Sequence, residues 1–346
     1  MKEFSSITDP QYIPPASFTR FERWCLKLMN DPRDLPFVRL LIFLQLTVIP
    51  FALFLFTPVL TSYWWWIAYL VYFFYSQIFV RGPFGLMYHA ITHRRLFRKK
   101  YNLLNQYIVW FMGPFFGNTP ETFFSHHIGM HHAENNMPDD ASSTMYFQRD
   151  SIKEFGRYYI NFIFLGFYQT FTYLFTRKKK KYYMRFTVGE WTFIAACVLL
   201  CFVNMKATLL VLVFPVLFSR CIMMLGNWTQ HAFIDPSDPD NSFVNAIICV
   251  NTSYNRKCWN DGYHIVHHLK PGIHYTDMPG EYLKLKDELA HQKSFVFEQI
   301  HYLHIFFFLM TKQYRKLSRY MVNINGTFSS PDEAIQLMKQ RTRRFQ

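Results

Sequence analysis

The stretch EWTFIAACVLLCFVNMKATLLVLVFPVLFSRCIMML, at residues 190–225, decides the fold class of this chain. It contains two apolar runs, 190–203 and 207–225, and a short polar turn separates them. A helix needs about 20 predominantly apolar residues to cross a bilayer, and a turn this short permits only a tight reversal. The stretch therefore predicts a hairpin of two membrane-spanning helices.

A second hairpin is predicted nearer the N-terminus, where apolar runs cover about residues 37–60 and 63–80. The overall composition agrees, because 51% of the 346 residues are hydrophobic and 20% are aromatic. Such a composition is too apolar for an ordinary soluble protein. We therefore predict an all-α integral membrane protein with four transmembrane helices in two hairpins.

Three further apolar segments are too short or too mixed in polarity to be assigned as spans. We predict that residues 107–116 and 295–310 form amphipathic helices in the membrane interface. Residues 158–175 are at the lower limit of length for crossing, and we predict an interfacial or re-entrant helix with Gly166 at its middle. Four crossings then place every histidine cluster on one face of the membrane, in a cytosolic histidine-rich cap.

This pattern divides the chain into three predicted regions. Residues 1–36 form a cytosolic N-terminal segment, and residues 37–279 form the membrane domain that carries the histidines. Residues 280–346 form a C-terminal amphipathic and cytosolic segment.

The chain is strongly basic, with 37 Lys and Arg against 23 Asp and Glu and a formal net charge of +14. The basic residues gather in short runs beside apolar segments, as at residues 177–181. This is the positive-inside pattern of membrane proteins. It favours anionic lipid, and not nucleic acid, as the partner of these charges.

Histidine is concentrated in three short motifs, HxxxH, HHxxxHH and HxxHH. Residues three or four apart on a helix lie on one face, so each motif can direct two imidazoles at one metal ion. A buried imidazole needs a partner, and three such motifs in one chain therefore predict a metal centre. The motifs contain His89 and His93; His126, His127, His131 and His132; and His264, His267 and His268.

The second motif leaves a choice open, because His126 and His127 are adjacent. We favour His127, which has a partner four residues later at His131, and keep His126 as a candidate additional ligand. His132 then points about 100° away from His131, toward a second metal.

A further candidate ligand is His231, which directly follows the last apolar run. Asn227, one turn earlier, is a candidate for holding a bound water at the site, as a water-mediated ligand. Counting His231, nine histidines are enough for two metal ions with four or five ligands each, and imidazole-rich sites with open positions suit iron and O2 chemistry. The nine predicted ligands are His89, His93, His127, His131, His132, His231, His264, His267 and His268.

These motifs, spaced among two helical hairpins, resemble the histidine-box membrane fatty acid desaturase and hydroxylase superfamily. The resemblance extends over most of the chain, from about Phe37 to Pro279. It implies two iron ions in a non-haem diiron centre at the cytosolic face, with O2 as co-substrate, and it matches His231 to an extra histidine after the fourth span. The endoplasmic reticulum is the location that it implies.

The resemblance also implies the activity and the partners. The expected reaction is the introduction of a double bond into a fatty acyl chain that is held on a lipid or an acyl carrier. No His-Pro-Gly-Gly run occurs, so we expect no fused cytochrome b5 domain and an external electron donor such as cytochrome b5 or ferredoxin.

Two alternatives stand beside this interpretation. A lipid or alkane-type hydroxylase would use the same diiron centre, and the sequence does not separate it from a desaturase. A non-enzymatic metal transporter would need polar ligands within its spans, whereas these motifs flank or follow the apolar runs.

Overall fold

The computed structural model describes residues 1–3 and 6–345, and most of them are helical. In chain order the elements are α1 (Arg20–Leu28), α2 (Leu35–Phe54), α3 (Ser62–Phe73), α4 (Arg81–His93), α5 (Asn102–Tyr107), α6 (Gly113–Phe115), α7 (Thr122–His126), α8 (His132–Glu134), α9 (Ile152–Thr176), α10 (Lys180–Thr208), α11 (Phe214–Gln230), α12 (Ser242–Asn245), β1 (Ile247–Val250), α13 (Ser253–Lys257), α14 (His264–Leu269), α15 (Met278–Lys284), α16 (Lys286–His291), β2 (Phe295–Glu298), α17 (Tyr302–Met310), α18 (Tyr314–Ser318) and α19 (Pro331–Arg341). π-helical turns occupy Phe74–Phe79, Ile108–Met112, His127–His131 and Leu209–Val213.

The chain forms two compact units, and one of the four boundaries between them falls within α11. The first unit contains residues 1–11, 127–178 and 221–346. The second unit contains residues 12–126 and 179–220.

Two stretches of the described chain are long and apolar enough to cross a membrane, Pro32–Phe54 and Lys180–Gln230. The four separate transmembrane helices that the sequence predicts are not confirmed. The run at 63–80 does not form one long α-helix, because α3 ends after 12 residues and a π-helical turn follows it. The run at 190–225 belongs to a single helical stretch of 51 residues.

The predicted turn in that stretch is a local break in the helix. Asn204 has non-helical φ and ψ of −156° and 94°. Its side-chain Nδ2 donates to the carbonyl of Phe56 over 3.3 Å, and the Lys206 ammonium lies 3.9 Å from the centre of a Trp65 ring. The polar turns of the two predicted hairpins therefore contact each other in the second unit, through a hydrogen bond and a cation–π interaction.

Close packing against α10 positions the chain that leads into the second histidine motif. A Cβ atom on Gly189 would lie 1.8 Å from the carbonyl oxygen of Pro120, so only glycine fits there. The adjacent Glu190 is buried and accepts hydrogen bonds from Thr119 and Thr122 over 2.7 and 2.8 Å. The loop before α7 is thus fixed to α10.

A small parallel sheet, which the all-α prediction missed, organises the core of the first unit. Ile247 of β1 pairs with Phe295 of β2, and all eight strand residues are buried. Side chains alternate across the sheet, and each face packs on helices. One face contacts Ile305 and Leu309 of α17, and the other contacts α14 and α15.

The sheet corrects one predicted helix. The segment at 295–310 was expected to be a single amphipathic helix, but its first four residues form β2 and only Tyr302–Met310 is helical. Phe-Val-Phe favours a strand once a partner strand is present, and that partner lies far away in the sequence. The segment at 107–116 is broken by the π-turn and by Pro114 in α6, whereas α9 continues through Gly166 for 25 residues.

We predict that Gly189→Ala lowers the free energy of unfolding by about 1–3 kcal/mol, because the new methyl group must displace backbone. Gly156→Ala in α9 is the control, since a Cβ atom there meets nothing within 4 Å. The control is expected to unfold at the same or a slightly higher temperature. Thermal unfolding of the two purified variants and wild type measures the difference, and equal stability of all three would contradict the packing argument.

Candidate metal centre

The third histidine motif forms α14, which the sheet holds from one side. Ile265 and Val266 of α14 are fully buried in the core that contains Ile248 and Val296. The chain enters α14 through a tight turn in which Trp259 and Asn260 have φ of 55° and 56°. The motif is therefore anchored at its apolar residues, while its histidines face away from that core.

The second motif is π-helical, and this changes which histidines act together. In a π-turn the pairing is between residues five apart, and the Nε2 atoms of His127 and His132 lie 3.0 Å from each other. The α-helical spacing predicted a shared position for His127 and His131. Instead His131 is the ring that diverges, and it joins a different group.

Seven of the predicted ligands form two clusters within the first unit. In the three-histidine cluster, His132 Nε2 lies 3.0 Å from His127 Nε2 and 2.9 Å from His267 Nε2. In the four-histidine cluster, one ring nitrogen from each member lies within 4.8 Å of those of the others. The members of this second cluster are His131, His231, His264 and His268.

The first motif lies on α4 in the second unit. His89 and His93 are one turn apart, and their ring centres are separated by 5.3 Å. The ring of Phe123 packs edge-on against His89 with a centroid distance of 5.9 Å. The two imidazoles are presented side by side, as the HxxxH spacing predicts.

Two members of the four-histidine cluster are oriented through their second ring nitrogen. His131 Nδ1 is hydrogen-bonded to the buried carboxylate of Asp140 over 2.7 Å. His231 Nδ1 lies 2.9 Å from the carbonyl oxygen and 3.1 Å from the side-chain oxygen of Asn245. Each Nδ1 therefore acts as the donor, which leaves Nε2 as the electron-pair donor for a metal.

The surroundings favour the neutral form of two members of the four-histidine cluster, His231 and His268. Burial, assisted by the neighbouring His131, lowers the pKa of His231 to about 4. Burial also lowers the pKa of His268 well below its ordinary value, and the facing His264 adds to the effect. A neutral imidazole is the form that binds metal, so both rings are in the metal-binding form at neutral pH.

Five acidic residues stood near the motifs in the sequence, and one of them contacts a ligand ring. Asp140 holds His131, and Ser142 in turn donates from both its hydroxyl and its backbone N–H to Asp140. The other four bond elsewhere: Glu134 with Tyr173, Asp139 with Arg177, Asp261 with Tyr254, and Glu121 with Arg185.

The two candidate additional ligands are placed as follows. His126 is the last residue of α7 and belongs to the second unit. Of the two adjacent histidines, His127 is the one that belongs to the three-histidine cluster. Asn227 donates from Nδ2 to the Ser142 carbonyl over 2.8 Å and to the Tyr158 hydroxyl over 2.9 Å. Its amide group therefore braces the loop that carries Asp140.

Sequence reasoning missed Asp9, a carboxylate that holds the third motif in place. Its side chain is 4% exposed and accepts from the hydroxyl of Tyr263, the residue before His264, over 2.7 Å. It also accepts from the Asn251 backbone N–H over 2.7 Å and from Asn255 Nδ2 over 2.9 Å. Burial raises the pKa of Tyr263, and the negative charge of Asp9 raises it further. No local pattern points to Asp9, because these partners lie more than 240 residues away.

The nitrogen positions fit a metal-binding role. Two ligand nitrogens at about 2.1 Å from one metal and at right angles are separated by roughly 3.0 Å. The Nε2 pairs of the first unit are separated by 2.9, 3.0, 3.0 and 3.2 Å. An all-imidazole donor set suits iron, zinc or copper and disfavours magnesium or calcium.

Comparison with known proteins identifies the family. The model of the fatty acid desaturase family matches residues 78–299, which is more than half of the chain. The chain therefore belongs to the membrane fatty acid desaturase and hydroxylase superfamily, and it is an oxidoreductase of lipid metabolism. No curated protein and no solved structure gave a significant match.

We predict that Asp140→Ala weakens metal binding at the four-histidine cluster by about 10–100-fold, because His131 loses the partner that orients it. Asp139→Ala is the matched control, since the adjacent carboxylate is 57% exposed and pairs with Arg177 at the surface. Metal content after dialysis against a graded chelator series measures the loss. Equal metal retention by the two variants would exclude an orienting role for Asp140.

We also predict that Asp9→Asn lowers the free energy of unfolding by about 1–3 kcal/mol, because an amide group leaves buried donors without acceptors. The exposed Glu3→Gln is the control in the same segment. The Asp9 variant should lose metal at a lower chelator concentration than wild type, whereas the Glu3 variant should match wild type. Unchanged unfolding and metal retention in the Asp9 variant would refute its role.

Proposed function

We propose that this protein is a membrane-bound lipid desaturase that uses a non-haem diiron centre and O2 to introduce a double bond into a fatty acyl chain. The observation that carries the proposal is the convergence of seven imidazoles in two clusters, in a chain of the fatty acid desaturase family. Two separate clusters correspond to two metal positions. The family and the all-nitrogen donor set together favour iron.

The proposed ligands are nine histidines, namely His231 and all of the motif histidines except His126. The three-histidine and four-histidine clusters supply seven of them. His89 and His93 are included because the HxxxH motif is part of the pattern that resembles the family. His126 and Asn227 remain candidates for additional or water-mediated ligands.

When bound, the iron ions would supply the O2 activation and hydrogen abstraction that side chains alone cannot perform. One desaturation removes two hydrogens from adjacent acyl carbons and reduces one O2 to two waters. The balance requires two further electrons and two protons, and we propose that an external donor such as cytochrome b5 or ferredoxin provides the electrons.

This chain's own residues prepare the site for that reaction. Asp140 and Asn245 fix the tautomers of His131 and His231, so that the same ring nitrogen is always presented. Desolvation lowers the pKa of His231 and of His268 and so favours their unprotonated forms. The substrate is proposed to be an acyl chain on a lipid or an acyl carrier. The proposed location is the endoplasmic reticulum, with the histidines facing the cytosol.

The test compares complete lipid profiles of host cells that express wild type, His268→Ala or His291→Ala at matched protein levels. His291 is the control, because its side chain is 81% exposed. We expect an acyl species two hydrogens lighter in wild type and in the control, and its absence in His268→Ala. The loss of activity should exceed about a hundredfold, since a metal ligand is removed.

Other outcomes of this experiment discriminate between the alternatives. A product one oxygen heavier, lost in the same variant, would show a hydroxylase. Stable zinc binding by the purified protein, without any O2-dependent product, would contradict the enzyme and favour a metal-binding or transport role.

A further inference from the structure

A long groove follows α9 in the first unit and lies outside the proposed ligand set. Its volume is about 1190 Å³. One wall consists of residues of α9 and its C-terminal end, between 154 and 177, and the other is formed by the loop at 138–147. A helix rises about 1.5 Å per residue, so the groove follows roughly 35 Å of the helix.

An exposed apolar stripe runs along the middle of this groove, and the charges at its ends are paired. Ile160, Phe164 and Tyr168 are spaced four residues apart on α9 and are 57%, 76% and 66% exposed. At one end Arg157 pairs with Glu154 over 2.9 Å, and at the other Arg177 pairs with Asp139 over 2.5 Å. An exposed apolar stripe of this length marks an interaction surface, and in a membrane protein hydrocarbon is the natural contact.

A second, smaller pocket of about 580 Å³ is strongly basic. Its lining contains the basic residues Lys312, Lys339, Arg343 and Arg344 and a single carboxylate, Asp150. The four basic side chains are all exposed. Lysine and arginine side chains gathered in this way suit an anionic phosphate group.

The single carboxylate does not neutralise the pocket. Asp150 accepts from Lys312 over 2.6 Å, from Tyr314 over 2.5 Å and from Gln148 over 2.6 Å. Burial alone would raise the pKa of Asp150, but these hydrogen bonds outweigh burial and lower it. The charge of Asp150 is therefore matched by Lys312, and the positive charges of the other three basic residues remain.

Arg344 lines both the groove and the basic pocket, so the two form a continuous surface. We propose that this surface binds an anionic phospholipid of the membrane, with its phosphate against Lys339, Arg343 and Arg344 and one acyl chain along α9. Coenzyme A thioesters share the phosphate and the acyl chain. We favour the membrane lipid because the apolar stripe on α9 is exposed in a membrane protein, and because Tyr314, the aromatic residue that lines the basic pocket, is buried and offers no face for stacking an adenine beside the phosphate.

The site goes beyond the proposed function, because it does not depend on iron or on turnover. It has a structural connection to the four-histidine cluster, since the groove wall includes Asp140. A bound acyl chain would pack against the loop whose carboxylate orients His131. Lipid binding is therefore expected to stabilise this loop.

The test measures lipid binding to the full-length protein in a neutral detergent by native mass spectrometry. Dioleoyl phosphatidylglycerol and dioleoyl phosphatidylcholine are the probes, and the double variant Arg343→Glu/Arg344→Glu is compared with Arg256→Glu/Lys257→Glu. The second pair is an exposed basic pair elsewhere in the first unit and carries the same charge change. We expect the first variant to bind phosphatidylglycerol about tenfold or more weakly, and the second to bind it like wild type.

A Leu165→Trp variant tests the apolar part, because Leu165 lines the groove and is 47% exposed. It should weaken phosphatidylglycerol binding without lowering the unfolding temperature. Equal loss in both charge variants would show attraction to general surface charge and overturn the site. Tight binding of oleoyl coenzyme A together with weak binding of phosphatidylglycerol would overturn the assignment to a membrane lipid.

Discussion

The arrangement of the first unit depends on one constraint, which is that several imidazole nitrogens converge within hydrogen-bonding distance while most of their rings are buried. A neutral imidazole has only one N–H donor, so rings that face each other in this way can satisfy the hydrogen bonding of only some of the converging nitrogens. Protonation of the rings would place like charges about 3 Å apart. The burial of His231 and His268 keeps them neutral. Metal ions would give all of the converging nitrogens a common partner, and this explains why a chain maintains so unfavourable an arrangement.

The surrounding fold supports this constraint from three directions. The two-stranded sheet packs against the apolar residues of α14 and so fixes the helix that carries His264, His267 and His268. The loop at 138–147 contributes Asp140, and the chain before β1 contributes Asn245, each to the second nitrogen of a ligand ring. Asp9 then ties the start of α14 to the N-terminal segment. Rigid support of this kind is what a metal site needs to keep its geometry.

The π-helical turn at His127–His131 has a specific consequence for the chemistry. With α-helical spacing, His127 and His131 would serve one position and His132 another. The additional residue in the turn pairs His127 with His132 and sends His131 to the four-histidine cluster. One short motif thus contributes to both clusters of the first unit, and this places the two proposed metal positions close to each other. π-turns are frequent at functional sites for this reason, because they redirect side chains without ending the helix.

The sequence by itself determined the membrane character, the mainly helical fold, the family and the residue types of the candidate metal centre. These properties are local. The length of an apolar run can be counted in the sequence, and histidines four residues apart on an α-helix share one face of it regardless of the rest of the chain. Tertiary structure decided which histidines act together, the pairing of β1 with β2, and the choice of Asp140, Asn245 and Asp9 as supporting groups. Each of these depends on segments that are distant in the chain or on a helical turn that departs from α-geometry. Contacts between distant segments and a π-helical turn leave no periodic signal in the sequence, because the contacts that stabilise them exist only after the segments have packed.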